Sequence, residues 1–225
     1  MWPDPHALAQ SANRSRQPRG PTVIAATRLE AWAARAVLPR AVAVERVGIG
    51  GRARTRQPPA GFVACGLAGA LSEQLRPGAV LIPAWVGLPS GERLPCHAPL
   101  VAALTTAARH LGWEPVLAPL LTARRLVTGR ARSRWETWGF AAVDMETGWL
   151  LRHQPVGATV RVVLDTPRQD LSPRWEQPWQ ALGEPRLWRQ LAWLGLHALP
   201  YALRAALVVR AALKPATTHS SCPER

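Results

Sequence analysis

The chain has 225 residues, of which 48% are hydrophobic, and this length and composition are typical of a globular domain with a substantial core. It carries 28 Lys and Arg against 14 Asp and Glu, a formal net charge of +14 that favours nucleic acid, an anionic membrane or a phosphorylated substrate as partner. Cys65, Cys96 and Cys222 are too few and too scattered for a disulfide framework or a Cys-x-x-Cys zinc site, which favours reduced thiols in a cytoplasm.

Residues 1–20 contain no apolar segment of the kind found in signal peptides, and Asn13, Gln17 and Pro18 lie there among several arginines. This composition predicts a disordered basic tail and no export signal. A second disordered tail is predicted over 215–225. The longest apolar run, Leu191–Val209, is interrupted by a histidine, a proline and an arginine, which argues against a simple membrane-spanning helix.

Apolar strand patterns and helical patterns alternate from residue 21 onward. Pro21–Ala26 is typical of a buried strand, and Arg28–Val37 is typical of a helix. The apolar side of this helix carries Leu29, Trp32, Ala33 and Val37. A second strand, Ala41–Val47, leads into a glycine turn. Since glycines adopt positive φ and let a ligand approach the backbone, Gly50 in this turn is a candidate substrate-binding residue.

More strands follow, with small residues concentrated at their ends. The third predicted strand, Gly61–Cys65, ends in the glycine-rich segment Gly66–Leu71. The later predicted strands are Gly78–Pro83, Val116–Leu121, Phe140–Val143 and Thr159–Leu164. Strands that alternate with helices predict an α/β fold, a three-layer α/β/α domain with a central mixed sheet over 21–183.

Two carboxylates, Asp144 and Glu146, flank Met145 where a strand gives way to a helical pattern. Strand ends in open α/β folds form a crevice in which ligand groups gather. Acidic residues at this position also favour the positive end of a helix dipole. The segment alone leaves both interpretations open.

The order of these motifs resembles the purine nucleoside phosphorylase and methylthioadenosine/S-adenosylhomocysteine nucleosidase superfamily. "FVACGLAGALSEQLRPGAVLIP" (62–83) is similar to its glycine-rich strand, loop and next strand, "AAVDMET" to its Met-Glu ribose motif, and "RVVLD" (161–165) to its purine motif. The resemblance covers residues 21–175. Within the superfamily, "DMET" and "LEAWAAR" look most like the hopanoid-associated nucleosidases that remove adenine from adenosylhopane.

The resemblance implies a role for each of three carboxylates. Glu146 would accept hydrogen bonds from the 2′ and 3′ hydroxyls of ribose, with Met145 packed beside the sugar. Asp165 would protonate N7 of the leaving purine, and Glu30 would activate water. A helix cap is the alternative for Asp165, and a solvated helix residue is the alternative for Glu30. Gly66, Ala68 and Gly69 are expected to bind substrate.

Water and phosphate are both possible nucleophiles. Leu67 occupies the position of a serine that helps to bind phosphate in the phosphorylases, and a leucine side chain cannot donate that hydrogen bond. Arg52, Arg54 and Arg56 follow the Gly48 turn, however, and arginine is a good phosphate ligand. We therefore expect hydrolysis, with phosphorolysis as the alternative.

The chain departs from the family pattern at two further places. Leu164 replaces the serine before the aspartate, and the aromatic residue that stacks on the purine is replaced near Arg132, with Trp135 or Trp138 as substitutes if they are not structural. The histidines show no ligand spacing with Asp, Glu or Cys, so neither a metal nor another cofactor is expected.

The segment 184–214 is predicted to form amphipathic helices, the first ending before Pro200. Trp175, Trp179, Trp188 and Trp193 lie near arginines, a pattern that suits the headgroup boundary of an anionic bilayer. We expect a cytoplasmic homodimer that acts on a purine nucleoside substrate. With a lipid-linked substrate the helices would meet the membrane surface; the alternative is that they pack on the domain. A noncatalytic nucleic-acid-binding protein, using basic segments Gly50–Gln57 and Ala123–Arg134, is the less favoured alternative.

Overall fold

The computed structural model describes residues 21–50, 57–172 and 184–213. Over these residues the chain forms a mixed sheet with helices packed against it, which confirms the predicted fold class. The strands are β1 (Thr22–Ala25), β2 (Val44–Arg46), β3 (Phe62–Ala70), β4 (Val80–Leu81), β5 (Trp85–Gly87), β6 (Arg93–Pro95), β7 (Leu120–Thr122), β8 (Ala142–Asp144) and β9 (Gly157–Asp165). The helices are α1 (Arg28–Val37), α2 (Ala98–His110), α3 (Arg130–Thr137), α4 (Thr147–His153) and α5 (Trp188–Ala212), with a 3₁₀ turn at Pro185–Leu187.

Strand β3 is the centre of the sheet. The strand order is β2-β1-β3-β8-β7-β5-β6, and β9 pairs with both β3 and β4. Strand β3 runs parallel to β1 and β9 and antiparallel to β8. Its last residues therefore lie beside the carboxyl end of β9, which carries Asp165, and beside the short strand β8, which ends at Asp144.

The glycine-rich segment that follows Cys65 is part of β3, and the prediction that the strand ends at Gly66 is wrong. Pairing with β9 continues through Gly66↔Arg161 and Gly69↔Asp165, with an irregularity between Ala68 and Gly69. Small residues are needed there because the large side chains of neighbouring elements lie against this part of the strand. The glycines thus lengthen the strand instead of ending it.

Helix α1 has the predicted bounds, but only part of its predicted apolar side is buried. Leu29 and Trp32 are exposed and Val37 is half-buried, whereas Ala33 is buried, together with Ala31 and Ala34. Alanines allow α1 to approach β1, β3 and α5 closely. The hairpin β5–β6 and helix α2 lie in a stretch where the sequence pattern gave no prediction.

Helix α5 is one continuous helix, so the prediction of two helices separated at Pro200 is wrong. Proline removes one hydrogen bond within a helix, here the bond to the carbonyl of Leu196, a highly exposed residue at which water can take its place. Packing against α1, α2, β3 and β9 holds the helix together. Its buried residues are Ala198, Ala202, Ala205, Ala206, Val208 and Val209.

By length and composition alone, α5 could cross a membrane, although its second half lies in the core of the domain. The predicted tails over 1–20 and 215–225 lie outside the described residues, as do Arg52, Arg54, Arg56, Trp175, Trp179 and Cys222.

Candidate active site

One cavity of about 490 Å³ opens where β3, β8 and β9 end. The start of α1 and the turn after β2 complete its wall. Most residues predicted to form the site line it, namely Glu30, Gly50, Ala68, Gly69, Met145, Glu146 and Asp165. Residues that are far apart in the sequence are thus brought together at the predicted strand ends.

Glu30 is held by the start of its own helix. Thr27 caps α1 and accepts a hydrogen bond from the Glu30 backbone N–H at 3.2 Å, while Glu30 Oε2 accepts from the Thr27 backbone N–H at 2.8 Å. Glu30 Oε1 accepts from the Leu67 backbone N–H at 2.8 Å. The carboxylate is buried, so the alternative of a solvated helix residue is wrong.

Two glycines of β3 make room for the charged groups of the site. A β-carbon on Gly66 would overlap Glu30 Oε1 and would lie 2.7 Å from Arg161 Nη1. A β-carbon on Gly69 would lie 3.0 Å from Asp165 Oδ1 and 3.3 Å from Arg132 Nη1. Gly66 itself does not line the cavity; it acts by letting Glu30 and Arg161 approach the strand.

Glu146 lies between the turn after β2 and a buried arginine. It accepts a hydrogen bond from the Gly50 backbone N–H at 3.1 Å, and its Oε2 lies 3.7 Å from Arg161 Nη2. Gly50 has a φ of 58°, and a β-carbon there would lie 3.2 Å from Met145 Cε. Burial, with the nearby charges of Asp144 and Glu30, raises the pKa of Glu146 to about 8, although Arg161 and the Gly50 N–H oppose this shift.

Asp144 has a structural environment, which favours the helix-start interpretation. Its Oδ1 accepts from Thr122 Oγ1 at 2.5 Å, and its Oδ2 accepts from the Thr147 backbone N–H at 3.1 Å and from the Thr147 hydroxyl. Arg161 Nη2 lies 2.6 Å from the same Oδ2. We refer to Arg161, Asp144 and Glu146 as the Arg161 cluster.

Asp165 ends β9 and is buried beside a second arginine, Arg132 of α3. Arg132 Nη2 pairs with Asp165 Oδ2 and also with Asp170 Oδ1, the latter at 2.8 Å. Burial raises the pKa of Asp165 above its usual value, and Arg132 acts in the opposite direction. We refer to Arg132, Asp165 and Asp170 as the Arg132 cluster.

Residues 166–172 form a turn in which the Gln169 N–H donates to the Thr166 carbonyl at 2.9 Å. Asp165 therefore does not cap a helix within this segment, and the cap alternative is wrong there.

Trp135 and Trp138 were the candidates to stack on the purine base, and neither lines the cavity. Trp135 packs edge-on against Trp138 and Phe140, and Trp138 is exposed. Near Asp165 the wall is instead aliphatic, formed by Leu126, Leu164, Leu171 and Leu194. Leu194 comes from α5, whose part in this wall the sequence did not predict.

Neither a reactive thiol nor a metal-binding cluster is found among the described residues. Burial raises the pKa of both Cys65 and Cys96 to about 12, so their thiols stay protonated at neutral pH. Among residues 21–50, 57–172 and 184–213, there is no group of three or more His, Cys, Asp and Glu arranged to hold a metal ion.

No protein-family model and no curated protein sequence matches the chain. Solved structures do match it. The 5′-methylthioadenosine/S-adenosylhomocysteine nucleosidase of Neisseria meningitidis, in complex with methylthio-immucillin-A, superposes with a TM-score of 0.67 and 16% identity over 87% of this chain and 99% of that chain. The corresponding nucleosidase of Colwellia psychrerythraea, in complex with adenine, has a TM-score of 0.65 and 17% identity over 87% and 95%.

The futalosine hydrolase of Helicobacter pylori has a TM-score of 0.66 and 11% identity over 87% of this chain and 97% of that chain. At these identities the similarity concerns the fold, which extends over nearly the whole of each relative. The chain therefore has the three-dimensional fold shared by these nucleosidases and futalosine hydrolase.

Proposed function

We propose that this protein is a purine nucleosidase, an enzyme that hydrolyses the N-glycosidic bond of an adenosine-type substrate. The observation that carries the proposal is the meeting of Glu30, Glu146 and Asp165 at one cavity, on the fold of known nucleosidases. A noncatalytic binding protein, the alternative drawn from the charge of the chain, would leave the burial of these three carboxylates unexplained, since burial of a charge is costly even where an arginine lies beside it.

The proposed reaction uses each carboxylate once. As the C1′–N9 bond breaks, its electron pair goes to the purine, and Asp165 donates a proton to N7. Either form of Glu146 accepts hydrogen bonds from the ribose hydroxyls. Its ionised form, which predominates above its pKa of about 8, also favours the positive charge that develops on the sugar. Glu30 takes a proton from the water whose oxygen bonds to C1′. The products are a free purine and ribose with a hydroxyl at C1′; Glu30 then releases its proton to solvent, and solvent reprotonates Asp165.

Water is the preferred nucleophile. The Leu67 backbone N–H, a potential phosphate donor, is already bonded to Glu30 Oε1. Among the described residues that line the cavity, Arg124 is the one arginine, and it lies exposed at the edge. Phosphorolysis, the alternative, requires a phosphate site for which these residues offer little.

The proposed substrate is lipid-linked, with adenosylhopane as the first choice and methylthioadenosine or S-adenosylhomocysteine as the alternative. Leu194 of α5 forms part of the cavity wall, and the same half of α5 exposes Trp188, Leu191 and Leu196. Leu191, one helical turn before Leu194, places exposed apolar surface beside the cavity, and Arg186 and Arg189 lie in the same stretch of chain. This arrangement suits peripheral contact with an anionic membrane from the cytoplasmic side.

Incubation of the purified protein with adenosylhopane, methylthioadenosine and S-adenosylhomocysteine, followed by chromatography for free adenine, tests both the activity and the substrate. We expect adenine from all productive substrates and the highest kcat/KM for the lipid-linked one. The Asp165→Asn variant is the matched control for contaminating activity. Absence of adenine from every substrate would refute the proposed function.

Vesicle binding tests the membrane contact. We expect the protein to co-sediment with anionic vesicles at low salt and to be released as salt rises. A Trp188→Ser, Leu196→Ser double variant should bind less, whereas Trp138→Ser, which changes a tryptophan of similar exposure on another surface (56% against 61%), should bind like the wild type. Equal loss in both variants, or no binding at all, would leave α5 as a packing element, either on the domain or in the proposed homodimer.

A further inference from the structure

Arg132 is a fully buried guanidinium at the centre of the Arg132 cluster. Its side chain is 1% exposed. It donates to the carbonyl of Ala70 at the end of β3 and contacts two carboxylates, Asp165 and Asp170. The proposed reaction assigns it no role, and the sequence marked its neighbourhood only as the place where the family's stacking aromatic residue is replaced.

Asp170 is fixed independently of Arg132. Its Oδ2 accepts a hydrogen bond from the Gly129 backbone N–H at 2.6 Å, immediately before α3. Its backbone carbonyl accepts from the Gln190 side chain of α5 at 3.1 Å. Asp170 therefore holds the guanidinium in place whether or not Asp165 carries a charge.

The contact between Arg132 and Asp165 conflicts with the task of a general acid. A guanidinium favours the ionised carboxylate, but Asp165 must carry a proton before it can donate one. Burial favours the protonated form, and so does the negative charge of Asp170. The charged groups that face Asp165 are Arg132 from α3 and Asp170 from the segment after β9. The Leu171 backbone N–H also donates to Asp165 and favours its ionised form.

We propose that Arg132 and Asp170 act together as a positioning pair that controls the proton of Asp165. In the resting protein Asp170 balances the guanidinium and Asp165 holds its proton on Oδ1, because Oδ2 faces Arg132. When the proton moves to N7 of the purine and the C1′–N9 bond breaks, Asp165 becomes a carboxylate, and the contact that Arg132 already makes with Oδ2 becomes an ion pair. Solvent then returns a proton to Asp165 after the purine leaves.

This inference rests on the proposed nucleosidase function, in which Asp165 is the acid. It makes Arg132 and Asp170 act in opposite directions on one proton. Removal of the Arg132 charge should leave Asp165 protonated to higher pH, and removal of the Asp170 charge should make it lose its proton at lower pH. A purely structural pair would lower activity without moving either boundary.

The first test is the pH profile of kcat/KM for purine release, whose fall at high pH reports deprotonation of the acid in the free enzyme. We expect Arg132→Gln to move this fall upward and Asp170→Asn to move it downward, each by about 1 to 3 pH units, the usual effect of one nearby charge. Arg132→Lys keeps the charge and should restore a profile close to that of the wild type. Glu114→Gln, an equal charge change at an exposed ion pair on the surface, is the control and should not move the profile.

The second test needs no substrate. Carbon-13 NMR titration of the aspartate carboxyls, with Asp165→Asn used to assign the signal, follows the proton of Asp165 directly. Opposite shifts in the titration of Arg132→Gln and Asp170→Asn support the pair even if no purine is released, in which case the proposed function alone fails. The inference is overturned if Asp165 titrates in Asp170→Asn as it does in the wild type and titrates alike in Arg132→Lys and Arg132→Gln. If Arg132→Gln does not fold, a wild-type titration of Asp165 in Asp170→Asn is enough to overturn it.

Discussion

The two buried arginine clusters of the site use the same pairs of groups in different ways. In the Arg161 cluster, the closest partner of the arginine is Asp144, whose oxygens also accept from Thr122 and Thr147. Glu146, assigned to the ribose, lies farther from Arg161, at 3.7 Å. In the Arg132 cluster, the arginine directly contacts Asp165, the residue proposed to transfer a proton.

This difference shows how one kind of ion pair serves two purposes. Arg161 is anchored by Asp144, a carboxylate that Thr122 and Thr147 hold in place, so it supplies a fixed positive charge beside Glu146 and Glu30. The surrounding carboxylates raise the pKa of Arg161 further, although burial opposes them, so its charge is permanent. Arg132 instead shares its charge between the proposed acid and Asp170, so the balance of that cluster changes when a proton moves.

The largest expected effect is in the Arg132 cluster. Asp165→Asn should lower kcat for purine release by about 100- to 10,000-fold, because the amide has no acidic proton to transfer. Folding should be retained, since Arg132 keeps Asp170 as its partner. Adenine chromatography and circular dichroism of the same preparation measure both. Wild-type turnover in Asp165→Asn would remove the assigned difference between the clusters.

Beside the Arg161 cluster, Glu30→Gln should lower hydrolysis by about 100-fold, because glutamine can still orient water but cannot accept its proton. Chromatography that separates the free sugar from its 1-phosphate measures the hydrolytic product directly. Added phosphate should neither accelerate the wild type nor rescue the variant. A phosphate-dependent rate with ribose 1-phosphate as product would contradict the choice of water.

Glu146→Gln should weaken binding of the transition state at the ribose. Hydrogen bonds to charged groups contribute about 1.5–3 kcal/mol, so we expect a loss of about 10- to 100-fold in kcat/KM. A 2′-deoxyribose substrate lacks one of the hydroxyls that Glu146 is proposed to bind, so the substitution should cost less with it. Equal losses with both substrates would argue against contact between Glu146 and the 2′ hydroxyl.

The sequence predicted those features of the fold that depend on local pattern. The helix Arg28–Val37 and the buried strands near Thr22, Phe62 and Thr159 follow from apolar periodicity and strand-length runs. The sequence also contains two helix-start signals that the prediction did not include. Thr27 and Glu30 have the spacing of a capping box, and Pro99 lies in the first turn of α2, where proline is common.

The remaining features depend on pairing across the sheet, which a single sequence does not display. Arg132 is buried because α3 places it between Ala70, Asp165 and Asp170, whereas Arg130 and Arg134 of the same helix are exposed. The three carboxylates could be assigned from motifs. Their arginine partners could not, because strand register and helix placement decide which charge meets which.

The two β3 glycines allow a comparison of stability. Gly66→Ala should lower the free energy of unfolding by about 1–3 kcal/mol, because the methyl group overlaps Glu30 and meets Arg161, and overpacked cores lose stability on this scale. Gly69→Ala should cost less, because its closest contact is 3.0 Å. Gly195→Ala in α5 is the control: no atom lies within 4 Å of its β-carbon, so it should stabilise the helix. Denaturant unfolding ranks the three variants, and a reversed order of Gly66 and Gly69 would mean that the Arg161 cluster is the more adaptable.

The last prediction concerns the pH dependence of stability through Glu146. Its pKa is about 8 in the folded protein against an ordinary value of 4.5, because burial disfavours the charged form and Asp144 and Glu30 repel it. Below the ordinary value the carboxyl is protonated in both folded and unfolded chains and contributes no pH dependence. Between the two values the unfolded chain is ionised and the folded chain is not, so the free energy of unfolding falls as pH rises, by at most about 1.4 kcal/mol per pH unit.

Glu146→Gln cannot ionise, so its stability should fall less steeply than that of the wild type across this window, and the two slopes should become parallel above pH 8. Denaturant unfolding at intervals across the window measures the difference, and identical slopes throughout would mean that the charge of Arg161 already compensates Glu146 in full.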